Sequence, residues 1–159
     1  MSNSCQARKF RASDAAEVSE LIIRTLRTSN AKDYSAAYLE DCAKKFTPEG
    51  VVERAGWTHF YVICDGARIA GCGAIGPYWG KEDESSLFNI FVLPEYQGKG
   101  IGRKIIEVLE KDEYFLGAKR VEIAASITAC AFYRKMGYSC KNGVDTPDEE
   151  QLFRLEKYR

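Results

Sequence analysis

The feature that most constrains this chain is the run Val92-Leu93-Pro94-Glu95-Tyr96-Gln97-Gly98-Lys99-Gly100-Ile101-Gly102-Arg103-Lys104-Ile105-Ile106. It joins an apolar, strand-like segment to an amphipathic, helix-like one through alternating glycines, which demands a sheet with at least one helix packed on it. A helix N-terminus presents about four unpaired N–H donors and roughly half a positive charge, so acids normally lie beside it. Here Lys99, Arg103 and Lys104 fill the turn, and no acid stands between Gln97 and Ile106. Dipole and side chains repel one another unless an anion lies between them. Gly98, Gly100 and Gly102 let the backbone close on such an anion, so the turn reads as a phosphate or pyrophosphate site. The P-loop pattern needs Gly-Lys-Ser/Thr, whereas Lys99 is followed by Gly100; the dinucleotide pattern needs glycine where Arg103 stands.

The rest of the chain supplies the elements of an α/β (α+β) fold. Residues 7–12 read as a first strand. Asp14 with Glu17 resembles a capping box, after which Val18, Leu21, Ile22 and Leu26 recur at helical spacing toward Ser29-Asn30. Residues 35–46, ahead of Pro48, and 49–55 predict two further helices. From Thr58 the sequence becomes rich in β-branched and aromatic residues, and Asp65-Gly66 followed by 68–75 predicts a hairpin. Residues 86–93 predict a buried strand, 100–114 a helix, 121–125 a strand, 128–136 a helix closed by Gly137, and 138–141 and 151–155 final antiparallel strands. The expected architecture is a mixed sheet of about six to seven strands with helices on both faces, one domain over residues 1–159.

Composition narrows the function classes. Lys plus Arg and Asp plus Glu number 23 each, so net charge suggests neither nucleic acid nor a membrane surface as partner. No stretch approaches the ~20 apolar residues of a membrane helix, and Met1-Ser2-Asn3-Ser4-Cys5-Gln6 shows no basic region followed by an apolar core. Cys5, Cys42, Cys64, Cys72, Cys130 and Cys140 are scattered without a Cys-x-x-Cys pair, which predicts free thiols and a cytoplasmic protein. With His59 as the sole histidine, no metal site is expected.

Two motifs together resemble the GNAT superfamily of acetyl-CoA-dependent N-acetyltransferases. Gln97-Gly98-Lys99-Gly100-Ile101-Gly102, preceded by Val92-Leu93-Pro94, matches the family's Gln/Arg-x-x-Gly-x-Gly/Ala; Ala129-Cys130-Ala131-Phe132-Tyr133-Arg134-Lys135-Met136-Gly137-Tyr138 matches its second signature. The resemblance implies an acyl-CoA N-acyltransferase fold with acetyl-CoA as co-substrate. It assigns the coenzyme A pyrophosphate to the amides of Gly98, Lys99, Gly100, Gly102 and Arg103, with Gln97 shaping the turn. Backbone groups near Phe91 and Val92 would meet the pantetheine arm between splayed strands. Ser126 stands where the family often has Asn, so that contact is shorter or absent.

Tyr133 corresponds to the family tyrosine that protonates the departing thiolate, a direction consistent with a phenol near pKa ~10 and a thiol near ~8.5. The general base is open. Family members often carry a glutamate where this chain has Ser86, leaving Glu82, Asp83, Glu84, His59 or water to take the proton. Tyr34, Tyr38, Tyr78 and Trp79 are candidates to line the acceptor site, with the acids favouring a cationic amine, small molecule or peptide. A covalent route through Cys72 or Cys130 lacks a neighbouring histidine in sequence. A non-catalytic acyl-CoA-binding domain of the same fold is the competing reading, and the resemblance allows a homodimer.

Overall fold

The computed structural model describes residues 5–159; the Met1–Ser4 stretch considered for an export signal lies outside the described residues. The elements in chain order are β1 (Cys5–Lys9), α1 (Ala15–Thr28), α2 (Ala36–Ala43), α3 (Pro48–Trp57), β2 (His59–Asp65), β3 (Arg68–Pro77), β4 (Glu84–Val92), α4 (Ile101–Leu109), α5 (Glu113–Leu116), β5 (Arg120–Ser126), α6 (Cys130–Lys135), β6 (Ser139–Cys140) and β7 (Leu152–Tyr158). They build the expected mixed α/β architecture. The sheet has seven strands in the order β1-β2-β3-β4-β5-β7-β6, antiparallel throughout except for the parallel β4–β5 pair.

Strand alternation sends neighbouring side chains to opposite faces. One face carries Ile75, Leu87, Val121, Ile123, Ala125 and Leu155 against α4, α5 and α6. The other carries Phe60, Val62, Cys72 and Ala74 against α1, α2 and α3. Helix α4 packs closely because β3 offers no side chain at Gly71 and Gly73; a Cβ at Gly73 would lie 2.6 Å from Ile105 Cγ2. Among the described residues, no helix is long and apolar enough to cross a membrane.

Several boundaries differ from those expected, each for a local reason. Strand β1 ends at Lys9 rather than residue 12, because a 3-10 turn over Ala12–Asp14 intervenes. The Asp14–Glu17 capping box does not form. The Asp14 carboxylate instead receives Arg8 Nη1 and Nη2 at 2.8 and 2.9 Å and the Arg11 N–H at 2.8 Å, while Glu17 accepts the Ile69 N–H at 2.8 Å. Helix α2 stops at Ala43 and runs into a 3-10 turn, and α3 starts one residue early because Thr47 caps it through the Gly50 N–H at 3.1 Å. The helix expected over 100–114 breaks after Leu109: Asp112 accepts the Tyr114 N–H at 2.8 Å and starts α5 separately. Strand β4 begins at Glu84, and β7 runs three residues past Leu155 because β5 pairs with it as far as Arg120↔Tyr158.

Candidate active site

The site is built on the separation of β4 from β5. Their parallel pairing covers Glu84↔Arg120, Ser85↔Val121, Ser86↔Glu122 and Leu87↔Ile123 and then ends. Beyond Leu87, β4 carries a bulge in which Asn89 has φ +56°, so two of its residues oppose Gly73 alone. The bulge bends β4 away from β5 and opens a gap. The Leu93 N–H donates to the Ala70 carbonyl at 2.9 Å. Alternation therefore commits the Phe91 backbone to β3 and turns that of Val92 into the gap. Of the two residues expected there, Val92 has its N–H so placed, while its carbonyl accepts Gln97 Nε2 at 3.0 Å. The side-chain Oδ1 of Asn89 is buried without a hydrogen-bond partner among the described residues.

At the open end of the gap lies the glycine turn. Gln97 pins it, donating also to Ser29 Oγ at 2.8 Å. Gly98 and Gly100 have φ of +75° and +83°, a region in which only glycine sits without strain, and the exposed turn then enters α4. Among the described residues, no protein acceptor takes the N–H groups of Gly98, Lys99, Gly100, Ile101, Gly102 or Arg103; the Lys104 N–H is the first to be paired, with the Gly100 carbonyl at 3.1 Å. Lys99 lies over the Tyr96 ring at 5.7 Å and Arg103 is exposed. Lys104 turns toward β1, its ammonium donating to the Cys5 carbonyl. Gly102 serves packing: a Cβ there would meet the Phe132 ring at 3.1 Å. Ser126 Oγ accepts the Ala129 N–H at 3.1 Å and so shapes the turn into α6.

Helix α6 brings Tyr133 into the core, 4% exposed, and among the described residues nothing hydrogen-bonds its hydroxyl. Burial, with a smaller contribution from the nearby Cys72 thiol, pushes the phenol well above its ordinary value. It therefore stays protonated at neutral pH, as a proton donor must. Burial likewise pushes the Cys72 thiol up to about 12, which removes the thiolate that a covalent route needs.

On the other face, beyond the cover of α1 to α3, sits an ionic network that spans three strands. Arg120 reaches Glu84 at 3.0 Å on β4, Glu156 at 2.7 Å on β7, and Glu122 on its own strand. Glu122 is 3% exposed and also accepts Lys141 Nζ at 3.0 Å. It stands beside Ser86, whose hydroxyl donates to the Glu122 carbonyl at 3.1 Å. A carboxylate thus stands beside Ser86 on the adjacent strand, on the same face and the same rung. Its signal in the sequence is the alternation Arg120-Val121-Glu122-Ile123, charges at every second position of a strand otherwise apolar up to Ala125.

Residues 56–140 match the family model described as "Acetyltransferase (GNAT) domain", just over half of the 159-residue chain. The chain belongs to the GNAT acetyltransferase family. A 60-residue stretch is 38% identical to the ribosomal protein bS18-alanine N-acetyltransferase of Escherichia coli (strain K12), covering 36% of this chain and 40% of that relative's length. The fold resembles the paia N-acetyltransferase from Thermoplasma acidophilum in complex with coenzyme A, with a TM-score of 0.83 at 19% identity over 98% of this chain and 99% of that one. It also resembles a GNAT family acetyltransferase from Brucella melitensis in complex with acetyl-CoA, with a TM-score of 0.66 at 22% identity over 95% and 86% of the two chains.

The other residues singled out for this GNAT site are held elsewhere. His59 lies on the face covered by α4 to α6, its Nδ1 2.9 Å from the Asp112 carboxylate and its ring against Tyr114 at 4.2 Å. Asp83 pairs with Lys119 at 3.0 Å, and Glu82 is exposed. Tyr34 and Tyr38 stack at 4.6 Å. Tyr34 takes the Ile127 N–H and donates to the Gln151 carbonyl, and Tyr38 donates to that of Glu150, at 2.8, 2.7 and 2.6 Å. They clamp α2 to the segment before β7. Trp79 is 69% exposed and touches Trp57 and Phe88. Tyr78 belongs to the charged network, its ring 5.3 Å from the Arg120 guanidinium.

Proposed function

We propose that this protein is an acetyl-CoA-dependent N-acetyltransferase whose acceptor is a primary amine, on a small molecule or a protein. The observation that carries this reading is the run of six amides without a protein acceptor, Gly98 to Arg103, at the mouth of the β4–β5 gap. Unpaired donors at a helix N-terminus suit a pyrophosphate, and the orphaned Asn89 Oδ1 on the bulge suits an amide N–H of a pantetheine arm. The name of the Escherichia coli relative, an N-acetyltransferase of an alanine amino group, supports amine acylation.

The residues divide the work by face. The acceptor lies on the network face, where Glu122 takes the proton that the ammonium must lose. The amine nitrogen then attacks the thioester carbonyl, whose oxygen the Val92 N–H stabilises as charge develops there. The carbon–nitrogen bond forms, the nitrogen gives up its second proton to solvent as the carbon–sulfur bond breaks, and the departing thiolate takes the Tyr133 proton, which solvent restores.

Incubation with acetyl-CoA and an amine panel, following free thiol, tests this. The expected result is amine-dependent thiol release that falls ~100-fold or more in Tyr133→Phe with coenzyme A binding retained. Tight coenzyme A binding with no release from any amine would overturn it in favour of a non-catalytic acyl-CoA-binding domain.

A further inference from the structure

Glu122 carries more than one cation, and the two are not equivalent. Arg120 is 7% exposed and is held by carboxylates from three strands, Glu84, Glu122 and Glu156. Lys141 reaches the same Glu122 oxygen from the connection between β6 and β7, is 32% exposed, and has no other carboxylate partner among the described residues. Its ammonium lies 3.0 Å from Glu122, 3.3 Å from the Tyr78 hydroxyl and 5.6 Å from the Tyr78 ring centre. A buried carboxylate, a hydroxyl and an aromatic ring around one primary ammonium form a complete recognition set for such a group. The contacts with Glu122 and then Tyr78 hold the proton on Lys141, outweighing its partial burial.

We propose that Lys141 occupies the seat of the acceptor's ammonium, and that acceptors are cationic primary amines which enter by displacing it. This rests on the N-acetyltransferase reading and extends it to substrate class. The position is suitable. Ser86↔Glu122 is one rung before the β4–β5 pairing ends, so the seat adjoins the root of the gap. The exchange is also affordable in charge. An incoming ammonium replaces an outgoing one, so Glu122 never stands buried and unpaired, and Arg120 keeps it neutralised during the exchange. A neutral acceptor offers no such compensation and leaves Lys141 in place.

The test uses the full chain saturated with coenzyme A and n-butylammonium as the probe, with n-butanol as its neutral counterpart. Calorimetric titration of Lys141→Met is expected to show n-butylammonium binding about tenfold tighter than to the unchanged protein, because no resident cation competes. Neither protein is expected to bind n-butanol. In the unchanged protein labelled with 13C-lysine, the Lys141 Cε signal is expected to move to the position of a solvent-exposed lysine as n-butylammonium is added. Equal or weaker binding by Lys141→Met, or a Lys141 signal that stays in place at saturation, overturns the proposal. Both readouts are independent of turnover. Thiol release that persists while they fail sinks this inference alone, and displacement of Lys141 without thiol release from any amine overturns the N-acetyltransferase reading and leaves only an ammonium seat.

Discussion

Ser86 and Glu122 stand on the same rung of adjacent parallel strands, joined by a hydrogen bond from the Ser86 hydroxyl to the Glu122 carbonyl at 3.1 Å. The rung sits at the point where β4 and β5 begin to part. The carboxylate on this rung lies on β5 and not on β4.

Replacing Glu122 with Gln keeps its shape and removes its charge. Turnover with a primary amine is expected to fall ~100-fold or more, while coenzyme A affinity measured by calorimetry stays within about twofold. Rate loss that disappears when the pH is raised to 9.5 would fit the loss of a proton acceptor; a loss equal at every pH would show that Glu122 acts only in the ionic network.

Cys72 is expected to be inert. With its thiol pushed up to about 12 by burial, iodoacetamide at pH 8 should leave it unmodified in the folded protein, as peptide mass spectrometry can show. Cys72→Ala should retain thiol release within a few-fold and lose roughly 1 to 2 kcal/mol of stability from the small cavity.

Gly102 supports the site through Phe132, which a Cβ would meet at 3.1 Å. Gly102→Val should cost about 1 to 3 kcal/mol in thermal or urea unfolding. Because Phe132 neighbours Tyr133 on α6, the turnover number should fall more than the affinity for coenzyme A. Gly98 has open space around it but a φ of +75°, so Gly98→Ala should cost about 1 kcal/mol through backbone strain alone.

Asp14 links β1 to the start of α1. The Arg8 guanidinium foremost, and then the Arg11 N–H, hold its carboxyl below the usual carboxylate range against the opposing effect of burial. A depressed folded-state value means that its stabilisation is complete above the ordinary carboxylate pKa and is lost as the pH falls through the folded value. Asp14→Asn should therefore destabilise by about 1.5 to 3 kcal/mol at pH 7 and by much less near pH 2, as paired denaturation curves would reveal.

Much of the fold was legible because it rests on local periodicity: the β2–β3 hairpin, the apolar face of α4 and the Gly137 stop of α6 all follow from short-range pattern. The glycine turn was legible for the same reason, since the clash of Lys99 and Arg103 with the helix dipole is a local conflict. What escaped depends on distant partners. In the sequence Lys104 groups with the cations of the turn, and nothing nearby reveals that the Cys5 carbonyl receives it. Asp14 has the chemistry of a helix cap, and the competing Arg8 lies across a turn. Apolar spacing continues past the end of α4 through Tyr114, although Asp112 has the chemistry of a cap. Glu122 was missed because its meaning depends on the register of β4 against β5, which alternation within either strand cannot give.

The proposed coenzyme A site depends most on the amides of Gly98 to Arg103. Their 15N–1H resonances, followed as coenzyme A is titrated into the protein and again with pantetheine, which lacks the pyrophosphate, read those groups directly. Large shifts at these amides with coenzyme A and little change there with pantetheine are predicted. Coenzyme A that leaves these resonances unmoved would contradict it.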